Sequence, residues 1–232
     1  MVLYPVTLGR VVGLCAFGTM TDDRSEKAMT DEKYSVGEGR DRATDAPHAR
    51  GRWTNLLVHR WPTALGVAVA ALTAFDLKID AGFVSSLSAL VAIMALVYIG
   101  AAALNRRRAA WAVLLAGLPL ALLIPSTSAV NPSVVVLAVA ALFLVVGIMR
   151  GRLREPGGLA LQAAGVLVFG AIALAALNVA PELGAYLVAL ALLGHAAWDA
   201  YHYLRDRVVA RSYAEFCGIL DLLLGATILF TV

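Results

Sequence analysis

The chain is short of charge. Asp, Glu, Lys and Arg make up 15% of its 232 residues, where a soluble domain averages about 25%. Apolar residues fill the gap at 60%, and that balance excludes an ordinary soluble domain and places the chain in the membrane class. Lysine is nearly absent: Lys27, Lys33 and Lys78 stand beside sixteen arginines. With the heavy use of Ala, Val, Leu and Gly, that bias points to a GC-rich bacterium and hence to its cytoplasmic (inner) membrane. A net charge of +3 invites a nucleic-acid reading. The arginines, however, sit in short connections between apolar runs, where membrane orientation accounts for them, so no nucleic-acid partner is expected. Cysteine is equally scarce. Cys15 and Cys217 make no disulfide framework and fix no redox compartment.

The first nineteen residues are mildly apolar, but Arg10 interrupts them and they lack both a basic start and a small-x-small cleavage pattern, which argues against a secretory signal. Met20 and Met29 each open a Met-Thr-Asp-acid run, an arrangement that suits a translation start at one of them, with 1–19 mis-assigned. Residues 21–52 carry eight acidic and seven basic side chains with almost no large apolar ones, too little to offset the entropy of ordering. Residues 1–53 are therefore expected to form a disordered cytoplasmic tail, and 54–232 a transmembrane domain.

A bilayer core about 30 Å thick needs around 20 helical residues. Seven apolar runs meet or approach that length, at 54–75, 83–104, 109–124, 132–149, 158–177, 182–204 and 213–232, giving an all-α protein of seven transmembrane helices. Asn131 before Pro132 reads as a cap followed by a proline at a harmless position, and Ser212 with Glu215 as a capping box. Pro119 sits inside the third run and is expected to kink it. The connections holding Arg106 to Arg108, Arg150 to Arg154 and Arg205 to Arg211 are basic, whereas the alternate ones hold only Lys78. That alternation places the amino terminus in the cytoplasm and, after an odd number of spans, the carboxyl terminus outside. There is no internal repeat of the kind built from paired broken helices.

Within this apolar background the sixth run carries His195, Asp199 and His202, and the seventh carries Asp221. Ionisable groups inside a membrane are costly and persist where they are paired or used. At ~1.5 Å per residue and 100° per residue, His195 and Asp221 fall at similar depth, His195, Trp198, Asp199 and His202 share one face, and Ala214, Cys217, Gly218 and Asp221 share another. A short connection makes the two helices neighbours, and Gly218 and Ala214 permit close approach. A polar pocket between them, opening toward the cytoplasm, is expected. Glu215 and Glu182 are explained by helix starts, Asp76 and Asp80 by exposed pairing with Lys78, and His48 lies in the tail.

Three chemistries suit this set. A divalent metal such as zinc takes three His or carboxylate ligands and keeps a position for water, so His195, Asp199 and Asp221, with His202, form a candidate metal and catalytic site for hydrolysis of a lipid-like substrate. A second candidate set, Asp199, His202 and Cys217 with His59, lies nearer the cytoplasm. Without metal, a carboxylate–imidazole relay suits proton-coupled transport of a small molecule, although spans two to five offer few polar residues for a pathway. The third reading is interhelical glue, with the Trp198 indole as a donor. The partners expected are the lipid bilayer and a small-molecule or lipid ligand.

The segment Gly194-His195-Ala-Ala-Trp198-Asp199-Ala-Tyr201-His202-Tyr203, with Arg211-Ser-Tyr213-Ala-Glu215-Phe-Cys217 and Asp221-x3-Gly225, resembles that of uncharacterised multi-helix integral membrane proteins of actinobacteria. The resemblance covers about thirty residues and implies no activity. The last run has no Lys for a retinal Schiff base and no histidine pair of the adiponectin-receptor-like hydrolases, and the chain has no histidine-rich desaturase boxes.

Overall fold

The computed structural model describes residues 60–75, 77–123, 130–155 and 158–232. The tail expected over 1–53, together with His48, His59 and Asp76, lies outside the described residues. Among those described the chain is all helical, with no strand. Its helices are α1 (Trp61–Phe75), α2 (Ala81–Leu104), α3 (Ala109–Leu122), α4 (Pro132–Met149), α5 (Leu159–Ala176), α6 (Pro181–Arg205) and α7 (Arg211–Thr231), with a 3-10 turn at Arg152–Arg154. Five of them, α2 and α4 to α7, are long and apolar enough to cross a membrane. Large apolar side chains such as Leu142, Leu167 and Phe230 point outward, as they do on a surface that meets lipid rather than water.

Local chemistry sets most boundaries. The Asp80 side chain accepts the Phe83 N–H at 2.7 Å and starts α2, a role as helix cap beyond the loop pairing expected of it. Asn131 accepts from the Ser133 N–H at 2.9 Å with Pro132 at the first helical position. α2 and α6 end alike, on Asn105 and Asp206 with φ of 51° and 48°, residues that tolerate the left-handed conformation. The expected capping box at Ser212 and Glu215 does not form. α7 begins at Arg211 after Ala210, without a side-chain cap, because both side chains are engaged by other helices. The Trp111 indole donates to the Ser212 hydroxyl at 3.1 Å, and Glu215 accepts from Thr63 and pairs with Arg60 at 3.4 Å. α3 continues through Pro119 for three residues and stops.

α2 is apolar on every side, and a helix of that kind belongs in the interior. It packs against α3, α4, α5 and α6, and Val91 to Ile99 are almost fully buried along it. α6 lies against α7, and α7 in turn carries α1. The α1–α7 contact is close at Gly66, where an added Cβ would come within 2.7 Å of the Phe216 carbonyl oxygen. The Arg-rich connections gather at one end: the Arg107 carbonyl accepts the Ala210 N–H at 3.2 Å, and Arg107 pairs with Asp206 at 2.9 Å. Between them Val208 has φ of 68°, with the Val209 N–H donating to the Arg207 carbonyl at 2.8 Å. This is a γ-turn around a β-branched residue, a strained conformation.

Candidate functional site

α6 places His195, Asp199 and His202 on its buried face, and α7 places Asp221 on its own. Both stripes follow from the helical period, since residues three and four apart share a side. The helices come together at Gly218, where a Cβ would stand 3.3 Å from the Cβ of Asp199, so the small residue expected to permit close approach does so. As a result His195 Nδ1 lies 2.8 Å from Asp221 Oδ2 and 3.1 Å from Asp199 Oδ2, so one ring nitrogen is shared between two carboxyl groups. The Tyr98 hydroxyl, from α2, donates to Asp199 Oδ1 at 2.5 Å. The group is closed off: His195 is 1% exposed, and Asp199 and Asp221 are fully buried. Two buried carboxylates therefore share one imidazole, which supplies at most one positive charge. Desolvation costs several kcal/mol per ion, so the arrangement calls for further positive charge, carried by protons or by a cation.

Two atoms reinforce that demand. Among the described residues, His195 Nε2 and Asp221 Oδ1 are buried with no hydrogen-bond partner, and each such group costs about 1–3 kcal/mol if nothing meets it. The surrounding walls are aromatic. Phe169 meets the His195 ring edge-on at 5.1 Å, and Tyr98 stands 5.4 Å from His195 and 4.8 Å from His202, centroid to centroid.

His202 forms a second layer. Its Nδ1 lies 2.9 Å from the Trp198 carbonyl, which can only accept, so Nδ1 carries hydrogen. With the ring neutral, Nε2 then accepts from the Gln162 amide at 3.0 Å. Trp198 thus serves this layer through its carbonyl, while its ring packs against Phe169 and His202.

Of the residues expected from sequence, the structure brings His195, Asp199 and Asp221 together and leaves His202 one turn away. It does not assemble the second candidate set: the His202 nitrogens are occupied by Gln162 and Trp198, Cys217 is buried within an apolar cluster, and His59 lies outside the described residues. Spans two and five each contribute one polar side chain beside this group, Tyr98 and Gln162. Gln162 was legible as the lone amide of its apolar run. Tyr98 carried no comparable signal, because a tyrosine in an apolar helix serves equally well as core.

The donor set fits a metal ion. Ligand atoms of His195, Asp199 and Asp221 lie within 4.8 Å of one another, and bonds of about 2.0–2.2 Å around one ion would draw them somewhat closer. Two carboxylates balance a divalent charge, and Tyr98 is placed to orient a ligating carboxylate from behind. Comparison of the chain with protein-family models, with curated proteins and with solved structures finds no match.

Proposed function

We propose that the chain is a seven-span protein of the bacterial cytoplasmic membrane, with its Arg-rich end in the cytoplasm, and that its functional centre is a divalent metal site formed by His195, Asp199 and Asp221. The observation that carries this reading is the convergence of three buried donors from two helices, with an excess of negative charge and two unmet polar atoms. A metal such as zinc held there would make a bound water acidic enough to serve as a hydroxide nucleophile near neutral pH, and the apolar surroundings favour a lipid-like substrate. Tyr98 fixes the Asp199 carboxylate, while Gln162 and the Trp198 carbonyl hold the His202 ring one turn below. Elemental analysis of purified protein tests this. The expected result is stoichiometric metal in the wild type, lost in Asp199→Asn and Asp221→Asn; a wild type without stoichiometric metal overturns it.

The short His195–Asp221 contact of 2.8 Å favours one second reading, a carboxylate–imidazole pair that holds and releases protons for coupled transport. Proton-coupled flux in liposomes that survives Asp221→Asn removes it. If metal and flux are both absent and the variants only unfold earlier, the three residues are interhelical glue, a role worth about 0.6–2 kcal/mol per contact.

A further inference from the structure

The Arg-rich end holds a second polar feature that the buried centre does not use. Three connections, those after α2, α4 and α6, close around a pocket of about 210 Å³ lined by Arg106, Arg107, Arg207, Asn105, Glu155 and Val208. Drug-sized ligands occupy sites of roughly 300–1,000 Å³, so this one suits a headgroup-sized anion. Its charge is unbalanced. Glu155 is the one carboxylate among the lining residues and is already paired with Arg152 at 2.8 Å. Arg107 is held by Asp206, whereas the Arg106 guanidinium has no carboxylate partner among the described residues.

The wall is also built rather than incidental. The Ala210 to Arg107 backbone hydrogen bond and the Arg107–Asp206 pair lock two connections together, and the strained γ-turn at Val208 forms part of the lining. Strained backbone persists where the surroundings over-determine it, and ligand clamps are one such place. Planar guanidinium forks match phosphate oxygens in pairs, and basic pockets between membrane helices take anionic headgroups.

We propose that this pocket binds a phosphate group, presented either by an anionic phospholipid headgroup or by a phosphate compound in solution. The site stands apart from the metal reading and does not depend on it. The test uses the full chain in phosphatidylcholine nanodiscs at constant ionic strength, with thermal unfolding as the readout. One arm adds inorganic phosphate in place of chloride; the other replaces part of the phosphatidylcholine with phosphatidic acid. A rise in Tm in the first arm identifies a soluble phosphate group, and a rise confined to the second identifies a lipid headgroup. Arg106→Gln is expected to weaken the response about tenfold in apparent affinity, the loss of one charge-assisted contact. Glu155→Gln removes the opposing charge and is expected to strengthen it. No rise in either arm overturns the proposal, as do variants that both respond like the wild type. A general folding defect would weaken both variants alike, so their opposite signs separate binding from damage. Chelator-treated wild type should respond as untreated protein does.

Discussion

Tyr98 is the residue on which the buried centre depends without carrying any of its charge. Its hydroxyl meets Asp199 Oδ1 at 2.5 Å while its ring packs against both His195 and His202. Tyr98→Phe keeps the ring and removes only the donor, so the expected loss is that of one buried hydrogen bond, about 1–3 kcal/mol in thermal unfolding. If Asp199 ligates a metal, the same change lowers metal affinity roughly 10–100-fold. A metal titration that comes out equal in both proteins separates Tyr98 from the centre. At Val208 the expected effect has the opposite sign. Val208→Gly relieves backbone strain of about 1–3 kcal/mol, opposed by about 1 kcal/mol of added unfolded-state freedom, so Tm should rise by roughly 2–4 °C. A fall would mean that the Val208 side chain, half-buried at that turn, contributes more than its backbone costs. The ionisable residues were readable from the sequence because an Asp or a His in an apolar run is conspicuous. Their hydrogen-bond partners were not, since Tyr98 becomes informative only once α2 is known to face α6.

Apart from the first run, expected from 54 where the described helix begins at Trp61, the helices were legible to within two residues, because lipid-length apolar runs bounded by Asn131-Pro132 or by Arg-rich turns leave little freedom. The start of α7 shows where that reading fails. A capping box is a local pattern, and Ser212 and Glu215 satisfy it in sequence, yet Trp111 from α3 and Thr63 and Arg60 from the start of α1 claim both side chains. Long-range partners win here because they satisfy the same oxygens while also joining helices. α1 is the shorter and more exposed element, and its seat on α7 rests on Gly66. Gly66→Val places side-chain atoms where a Cβ alone would come 2.7 Å from the Phe216 carbonyl oxygen. Backbone cannot yield as a flexible side chain does, so an overpacking cost of about 1–3 kcal/mol is expected. It should appear as faster hydrogen exchange confined to α1, with α6 and α7 unaffected. Uniform acceleration across the bundle would instead make α1 an integral part of the core.

Across the whole molecule, α2 divides the interior into two apolar clusters, one toward α3, α4 and the start of α7, the other toward α6 and the end of α7; the His195–Asp199–Asp221 group sits where α6 and α7 meet. Five helices are long and apolar enough to cross a membrane, and the seven crossings proposed above add the shorter α1 and α3. Asn131 at the start of α4 donates to Ser85 near the start of α2 at 3.2 Å, while Arg150 after α4 reaches Ala103 near the end of α2 at 3.5 Å. The start of α4 therefore lies beside the start of α2, and the end of α4 beside the end of α2. Trp61 and Trp111, in the first turns of α1 and α3, pack with ring centroids 5.4 Å apart, so both helices set out from the Arg-rich end. A protein built this way and oriented by its arginines should expose alternate connections on opposite faces of the membrane. With Cys15→Ser and Cys217→Ala as background, Arg108→Cys, Arg154→Cys and Arg205→Cys should react with a membrane-impermeant maleimide only after the cells are opened. Lys78→Cys and Asn178→Cys should react in intact cells. If neither α1 nor α3 crossed, Lys78→Cys would label together with Arg154→Cys and Arg205→Cys, and Arg108→Cys together with Asn178→Cys. That outcome would reduce the bundle to the five long helices and place the buried centre in a different frame of depth.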